Sequence, residues 1–407
     1  MNLSYSEEYE RFRADVRAFL RESWTDQDRA GDPSADEVAA SLGSAVRTDG
    51  RATEFRKKAI ARGYLYRHIP RRYGGSEQPS DPLKATILVE EFKRAAAPFE
   101  IMGQGPSMLV PTLLEKGSEE QRVRFVEKTL LGEIRWCQGY SEPGAGSDLA
   151  SLRTSAVLDG DHWVVNGQKI WTSNAHQADW MFALIRTEPE APKRDGITYM
   201  LIDMRTPGIT VRPLREMTGA AHFNEVFFED VRVPRDSIVG ERGRGWYVSK
   251  ATLKHERALI GNAGIARRSF DGVLLLAQAT QVRGRPAIQD PVIRERLAEL
   301  ESRLLAAEYN GYRLLTASAH GNEPALAGMI TKLHTSTLAY DIARLAMDIS
   351  SDHALLAPGE RHAPFAGMMV QAYTMYYALA LGGGAPNIQR NIIAERGLDL
   401  PRDTRAS

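Results

Sequence analysis

Cysteine is almost absent from the chain, since Cys137 is the only one among 407 residues. A single cysteine can form neither an intramolecular disulfide nor a cysteine-based metal site. This usage is typical of the reducing cytoplasm, where we expect the protein to act. The nine histidines include no HExxH pair or comparable cluster at the spacing of metal ligands, so no metal is predicted.

Excess charge and long apolar runs are also missing. Lys and Arg together number 52, and Asp and Glu together number 52. A chain without net charge has no long-range field to attract nucleic acid or an anionic membrane. No run reaches the roughly 18 apolar residues of a membrane-spanning helix, and the N-terminal stretch lacks the apolar core of a signal peptide. We therefore expect no nucleic-acid partner, no membrane insertion and no export through a cleaved signal.

Residues 1–133 have the spacing of helices. Apolar residues recur three or four apart between Tyr9 and Leu20. Ser118 and Gln121 have the Ser-x-x-Gln form of a capping box, which predicts the start of a further helix.

Residues 244–407 again have the spacing of helices. Asp290 and Pro291 are residue types typical of an N-cap and a first helical position. Apolar residues then recur at helical spacing from Ile293 to Ala307, which predicts a long amphipathic helix.

Residues 134–243 alternate with a period of two and are rich in β-branched and aromatic residues, which predicts strands. The pairs Asp159-Gly160 and Asn166-Gly167 are typical of tight hairpins, so we expect residues 162–166 to pair with residues 168–172. The predicted fold class is a multidomain α+β chain in the order helical, β, helical, with antiparallel strands in the middle.

Two segments of the β region are candidates for binding. The first segment, Trp136 to Asp148, runs from a predicted strand into a loop of glycines and small hydroxyl residues. Such a loop could bring backbone N–H groups to a phosphate, or it could be an ordinary turn. Gln168 to Asn174 places Trp171 beside two hydroxyl residues, and a Trp there fills a core more often than it forms a ligand platform. Composition leaves both alternatives open.

Three stretches resemble the signatures of the acyl-CoA dehydrogenase family, in the family's order. Residues 140–148 read Tyr-Ser-Glu-Pro-Gly-Ala-Gly-Ser-Asp, where the family has Ser/Thr-Glu-Pro-x-Ala-Gly-Ser-Asp after an aromatic or polar residue. Residues 166–173 read Asn-Gly-Gln-Lys-Ile-Trp-Thr-Ser, and residues 388–396 read Ile-Gln-Arg-Asn-Ile-Ile-Ala-Glu-Arg. The resemblance spans nearly the whole chain.

The resemblance implies an N-terminal helical domain, a middle antiparallel β-barrel and a C-terminal four-helix bundle. We place their boundaries at residues 1–133, 134–243 and 244–407. FAD is the implied cofactor, with Trp171 over one face of its isoalloxazine ring and Ser173 near the N5 atom. The other implied cofactor-binding residues are Tyr140, Ser141, Gly146, Ser147, Arg283 and Asn387.

The family places its catalytic glutamate at either of two positions. At the later position this chain has residues 383–385, Gly-Gly-Ala, without a carboxylate. At the earlier one, on the first long helix of the C-terminal domain, it has His255-Glu256-Arg257. Glu256 also lies on an apolar stripe, where burial of an unpaired carboxylate costs free energy. It is therefore expected to have either a catalytic role or a cationic partner. We predict that Glu256 is the base, while Arg257 points about 100° away and supports the surroundings of the substrate and flavin.

The implied reaction is the α,β-dehydrogenation of an acyl-CoA thioester to the trans-2-enoyl-CoA, with electrons passing to an electron-transfer flavoprotein. The His-Glu-Arg triplet resembles the branch of the family that acts on branched, long or ring-bearing acyl groups. The pocket floor is expected around Met102 and Leu109. The predicted substrate-binding residues are Gln104, Met108, Ser147 and Arg257.

Three stretches depart from the family pattern on the adenine side of the cofactor. Residues 283–286 lack the phenylalanine of Arg-x-x-Phe, residues 349–354 lack Gly-Gly-x-Gly, and residues 384–387 read Gly-Ala-Pro-Asn. Typical members use these positions across a subunit interface, so we expect a homotetramer or a heterotetramer with a paralogous subunit. Two other functions stay open: a flavin oxidase or monooxygenase on the same fold, and a non-catalytic partner subunit.

Overall fold

The computed structural model describes residues 5–25, 50–260, 263–320, 322, 325–356, 360–363 and 367–401, and for residues 257–260, 265, 318, 319, 325, 368 and 369 it describes only the backbone. The chain forms two compact units. Unit 1 comprises Met1–Glu216 with Ala221–His255, and unit 2 comprises Met217–Ala220 with Glu256–Ser407.

The N-terminal part of unit 1 is helical, as predicted. Its α-helices among the described residues are α1 (Glu7–Ser23), α2 (Gly50–Ala61), α3 (Pro82–Arg94), α4 (Val110–Lys116) and α5 (Glu119–Leu130). The apolar stripe of α1 packs against α3, where Val16 shares a buried core with Leu88 and Phe92. Ser118 and Gln121 form the predicted capping box at the start of α5, which confirms that prediction.

The strands of unit 1 form one sheet. They are β1 (Trp136–Gly139), β2 (Ser155–Asp159), β3 (His162–Lys169), β4 (Trp180–Arg186), β5 (Ile197–Asp203), β6 (Ile209–Leu214), β7 (Phe223–Pro234) and β8 (Ile238–Val239). The order is β6-β7-β3-β2-β4-β5-β8, with β1 beside β4. The middle domain is a β domain as predicted, but the sheet is mixed, because β1 and β2 run parallel to β4. The chain reaches β4 from β3 through residues 170–179 rather than through a hairpin, and such a crossover permits parallel pairing.

The Asn166-Gly167 pair lies inside β3 and not in a turn. The register between β3 and β7 shifts at this point, which marks a β-bulge. Gly167 has φ +143°, and a Cβ there would lie 2.7 Å from the Cα of Thr154, so the bulge requires glycine. The predicted pairing of residues 162–166 with residues 168–172 is therefore wrong. The Asp159-Gly160 prediction is confirmed by the antiparallel β2–β3 hairpin.

Unit 2 is helical, as predicted. Helix α6 (Gly245–Ile260) crosses the division of the chain, and α7 (Ala263–Ala279), β9 (Gln281–Val282), β10 (Arg285–Pro286), α8 (Pro291–Ala319), α9 (Ala325–Ser350), α10 (Met368–Leu381) and α11 (Pro386–Ile392) follow. Helix α9 packs against α7, α8 and α10. The Asp290 carboxylate accepts the backbone N–H of Val292 at 3.0 Å, which confirms the predicted cap of α8.

Two features are missing from the described part of the chain, a helix that could span a membrane and a cluster of metal ligands. None of the described helices combines the length and the apolar character needed to cross a membrane. Within the same ranges, no three His, Cys, Asp or Glu side chains are arranged to hold a metal ion. Cys137 is buried in β1, and burial raises the pKa of its thiol.

Candidate active site

The turn that follows β1 is held by a buried carboxylate. Glu142 and Ala145 exchange backbone hydrogen bonds of 3.1 and 3.0 Å, which close the turn. The Glu142 carboxylate accepts the backbone N–H groups of Arg153 at 2.6 Å and Thr154 at 2.9 Å. One side chain therefore ties the two ends of the loop between β1 and β2.

A buried lysine joins this turn to the second candidate segment. Lys169, at the end of β3, donates to Glu142 Oε1 at 2.8 Å, to the Leu184 carbonyl at 2.7 Å and to the Tyr140 carbonyl at 3.2 Å. Burial lowers the pKa of Lys169 to about 8, against the opposing charge of Glu142. Burial alone would raise the pKa of Glu142, but the Lys169 charge and the hydrogen bonds hold it below its ordinary value. Three acceptors fully use the ammonium group, so the pair fixes one segment against the other.

The loop after β3 presents an exposed aromatic side chain. Trp171 is 60% exposed. Its ring packs edge-to-face with the ring of Phe223, and the two ring centroids are 6.0 Å apart. Trp171 and Asn174 both have left-handed backbones, at φ +60° and +56°. Ser173, between them, is half-buried. Trp171 is therefore not a core residue, and its conformation is one that a bulky side chain rarely adopts.

Asn224 on β7 binds this loop and is absent from the residues predicted from sequence. Its Nδ2 donates to the carbonyls of Thr172 at 2.9 Å and His222 at 3.1 Å, and its Oδ1 lies 3.2 Å from Nδ1 of His176. A signal was present, because the burial of β7 alternates and puts Asn224 on the same face as the buried Val226. A polar residue on the apolar face of a strand marks a buried hydrogen-bonding role.

Tyr140 is buried rather than placed at a surface. Its ring meets Phe182 and Tyr199 edge-on, at centroid distances of 6.0 and 6.3 Å. The Tyr199 hydroxyl bonds to Thr252 of α6 at 3.3 Å, and Thr252 bonds to Thr112 at 2.9 Å. Burial raises the pKa of Tyr199. This chain of hydroxyls anchors the first turns of α6 in unit 1.

In unit 2, Glu256 on α6 is half-buried and has a cationic neighbour. Burial lowers the pKa of Lys332 to about 8, and the negative charge of Glu256 opposes that shift. The Lys332 ammonium donates to the carbonyls of Ala380 at 2.9 Å and Gly384 at 2.7 Å. It thereby holds the stretch that corresponds to the family's later base position. Partial burial beside a cation suits a carboxylate that must stay ionised until it accepts a proton.

The remaining cofactor candidates lie on exposed loops and helix ends. Gly146 and Ser147 are exposed after the first turn, and a Cβ on Gly146 would meet nothing within 4 Å. In unit 2, Arg283 is exposed in the turn between β9 and β10, at φ +53°. Asn387 is exposed at the start of α11 and accepts a hydrogen bond from Arg390 at 3.2 Å.

The substrate candidates divide into exposed and buried residues. Met102 and Gln104 retain exposed surface, whereas Met108 and Leu109 are core residues of unit 1. The substrate contacts of the two core residues stay predictions. The Arg257 side chain lies outside the described residues.

Comparison with known proteins identifies the family. The models of the acyl-CoA dehydrogenase N-terminal, middle and C-terminal domains match residues 6–133, 137–231 and 243–398. The chain is 36% identical to acyl-CoA dehydrogenase IpdE1 of Mycobacterium tuberculosis over 401 residues, which cover 98% of this chain and 100% of that protein. Two solved structures are each 28% identical and cover 99% of this chain and 100% of their own. They are the Tcur3481-Tcur3483 steroid ACAD, with a TM-score of 0.78, and the ChsE4-ChsE5 complex from Mycobacterium tuberculosis, with a TM-score of 0.76. The chain therefore belongs to the acyl-CoA dehydrogenase family of oxidoreductases, whose members generally bind FAD.

Proposed function

We propose that the chain dehydrogenates an acyl-CoA thioester to the trans-2-enoyl-CoA, with Glu256 as the base that removes the α-proton. The half-buried carboxylate of Glu256 beside the buried Lys332 carries this proposal. A partly desolvated carboxylate is a stronger base than one in water. Removal of the α-proton also requires hydrogen-bond donors at the thioester oxygen, which stabilise the negative charge that develops there.

FAD is the cofactor that the unit 1 residues fit. The isoalloxazine ring is flat, with apolar faces and polar edges, so its site needs an aromatic platform together with hydroxyl and N–H donors. Trp171 is exposed on strained backbone, Ser173 follows it, and the open space at Gly146 lets the loop backbone approach a ligand. On the adenine side we propose Arg283 and Asn387.

When bound, FAD would accept the hydride of the substrate β-carbon at its N5 atom. Trp171 would cover the ring and exclude water from it, and Ser173 would donate a hydrogen bond to the ring edge. The Glu142–Lys169 pair would keep the two loops in register, because it joins them inside the protein. Tyr140, Ser141 and Ser147 would complete the unit 1 contacts.

The substrate class that we propose is a branched, long or ring-bearing acyl-CoA. One solved relative is named a steroid ACAD, and residues 383–385 of this chain carry no carboxylate at the later base position. Gln104, Met108, Ser147 and Arg257 are the proposed contacts. Activity confined to short, straight acyl esters would contradict this choice.

We also propose a tetramer, built from this chain alone or with a paralogous chain, and reoxidation by an electron-transfer flavoprotein. Two solved relatives are complexes of differently named chains, and the adenine-side stretches of this chain depart from the family pattern. Three domains, bounded at residues 133/134 and 243/244, belong to the same proposal. Size-exclusion chromatography of the chain expressed alone tests it, since a stable, fully flavinylated homotetramer would exclude an obligatory partner.

An anaerobic absorbance titration with straight, branched and ring-bearing acyl-CoA esters tests the reaction. We expect bleaching of the visible flavin band that Glu256→Gln abolishes. Glu295→Gln, at an exposed position on α8, is the matched control and should bleach like the wild type. A chain that binds no flavin, or whose flavin no ester reduces, contradicts the proposal. Rapid reoxidation in air with product bound would favour the oxidase instead.

A further inference from the structure

We propose that Asn224 is a positioning residue, whose carboxamide holds the loop of Trp171 and Ser173 in the conformation that receives the flavin ring. The inference rests on the FAD site proposed above. Asn224 itself lies in the interior of unit 1, fully buried on β7, and reaches the loop through hydrogen bonds. It therefore acts on the cofactor only through the residues that it holds.

The loop needs an external restraint because its backbone is strained. Trp171 and Asn174 have φ values of +60° and +56°. An L-residue with a bulky side chain avoids this region, and such a conformation persists only where the surroundings impose it. Trp171 is largely exposed, so core packing of its own side chain does not supply that restraint.

The sheet ladder does not supply the restraint either. The pairing of β3 with β7 ends at Lys169 opposite Val226, before the loop begins. Beyond that point, the N–H of Thr172 donates to the Asn224 carbonyl at 3.1 Å. The Asn174 N–H donates to the His222 carbonyl at 2.7 Å. The loop therefore depends on the stretch from residue 222 to residue 224.

The Asn224 side chain adds further hydrogen bonds to the same segment of the loop. Its Nδ2 donates to the carbonyls of Thr172 and His222. The backbone carbonyl of Asn224 accepts the N–H of the same Thr172. The two carbonyls only accept hydrogen bonds, so they fix the NH2 end of the amide, and the His176 ring lies at its Oδ1. An amide with both donors and its acceptor engaged cannot rotate without breaking hydrogen bonds. The carboxamide thus holds the peptide between Thr172 and Ser173 in one orientation.

Only a carboxamide of this length can make these bonds. Aspartate has no donor for the two carbonyls and would place a negative charge against them, while its volume stays the same. Alanine removes the contact altogether and leaves a small void. Asn224→Asp and Asn224→Ala therefore break the same hydrogen bonds in different ways, and Asp keeps the packing.

FAD titration of the apoprotein, followed by flavin fluorescence, tests the inference on the full chain. We expect both variants to bind FAD at least about tenfold more weakly, with a changed visible flavin spectrum and an unchanged far-ultraviolet circular dichroism spectrum. Asn166→Ala is the matched control, because this exposed amide bonds to Asp230 across the same two strands. It should keep FAD affinity within about twofold.

A double-variant cycle shows whether Asn224 acts through the loop. We expect Asn224→Asp to weaken FAD binding by a smaller factor once Trp171 is changed to Ala, because one of the two residues that it positions is gone. Independent losses that multiply, or Asn224 variants that bind FAD like the wild type, would overturn the inference. A wild-type chain that binds no FAD would instead overturn the proposed function, so the two failures are distinguishable.

Discussion

Two lysines, one in each unit, are equally buried but are stabilised in different ways. Lys169 in unit 1 is fully buried and Lys332 in unit 2 is 1% exposed, and burial lowers the pKa of each to about 8. Lys169 is bound by the buried carboxylate of Glu142 and by two carbonyls. Lys332 is bound by two carbonyls, and the carboxylate that acts on its charge, Glu256, is only half-buried.

The difference separates a structural charge pair from the pair that we propose to be functional. Glu142 accepts three hydrogen bonds and keeps a pKa below its ordinary value, so it stays ionised at neutral pH and fixes the backbone. Glu256 takes up a proton in the proposed reaction, and Lys332 then loses a favourable charge. A buried lysine with neutral partners can therefore respond to the state of the base, whereas Lys169 cannot.

Breaking the pair in unit 1 should have the largest effect on stability. Lys169→Met leaves the Glu142 carboxylate buried without its cation, which costs about 3–5 kcal/mol in the free energy of unfolding. Urea unfolding measures this loss. Lys193→Met removes the exposed pair with Asp148, at 2.6 Å, and should cost at most about 1 kcal/mol. Equal, small losses in the two variants would show that Glu142 does not depend on Lys169.

Replacing the lysine in unit 2 should have a smaller effect on stability and a separate effect on catalysis. Lys332→Met loses two hydrogen bonds to carbonyls, which costs about 1–3 kcal/mol. It also removes the positive charge that stabilises the ionised Glu256. We therefore expect the acidic limb of the kcat/KM profile to move to higher pH by about one unit. Lys250→Met, at an exposed position on α6, is the control, and an unmoved limb in Lys332→Met would disprove the coupling.

The sequence predicted those features whose determinants are local. The capping box at Ser118 and the cap at Asp290 depend on residues three positions apart or fewer, and both were confirmed. The Asn166-Gly167 pair correctly signals a positive φ at glycine. It does not distinguish a hairpin turn from a bulge, because the β7 partner that decides this lies some sixty residues further along the chain.

The supports of the candidate site could not be predicted for the same reason. Family resemblance named Trp171, Ser173 and Glu256, but Asn224 and Lys332 act on segments about fifty or more residues away in sequence. Nothing local to either residue reveals its partner. Alternation along β7 could have marked Asn224 as an inward-facing polar residue, whereas Lys332 has no such signal.

The two lysines should also make stability depend on pH in the alkaline range. Well below pH 8 each lysine is protonated in both the folded and the unfolded chain. Between pH 8 and the unfolded value near 10.5, the unfolded chain binds more protons, so the free energy of unfolding rises with pH. Each lysine contributes at most about 1.4 kcal/mol per pH unit.

Urea unfolding at about pH 7.5 and 9.5 measures this slope. Tyrosines begin to titrate in this range, but they are the same in the wild type and the variants, so their contribution cancels in the comparison. The Lys332→Met variant lacks one of the two groups and should show a shallower rise than the wild type. The exposed Lys250→Met control should match the wild type. Identical slopes in all three proteins would mean that Lys332 keeps its ordinary proton affinity in the folded chain.

The smallest effect on stability is expected at the Thr172 hydroxyl, which forms no hydrogen bond among the described residues of unit 1. Thr172 is fully buried, and its Oγ1 has no hydrogen-bond partner among the described residues. Thr172→Val keeps the shape and removes a buried hydroxyl that has no partner, so the free energy of unfolding of the apoprotein should not fall and should rise by at most about 1 kcal/mol. Thr154→Val is the matched comparison and should cost about 1–2 kcal/mol, because the Thr154 hydroxyl bonds to the backbone of Gln168 in both directions. If Thr172→Val lowers the free energy of unfolding as much as Thr154→Val does, the Thr172 hydroxyl helps Asn224 to hold the loop. The contrast between paired and unpaired buried polar groups in unit 1 would then be wrong.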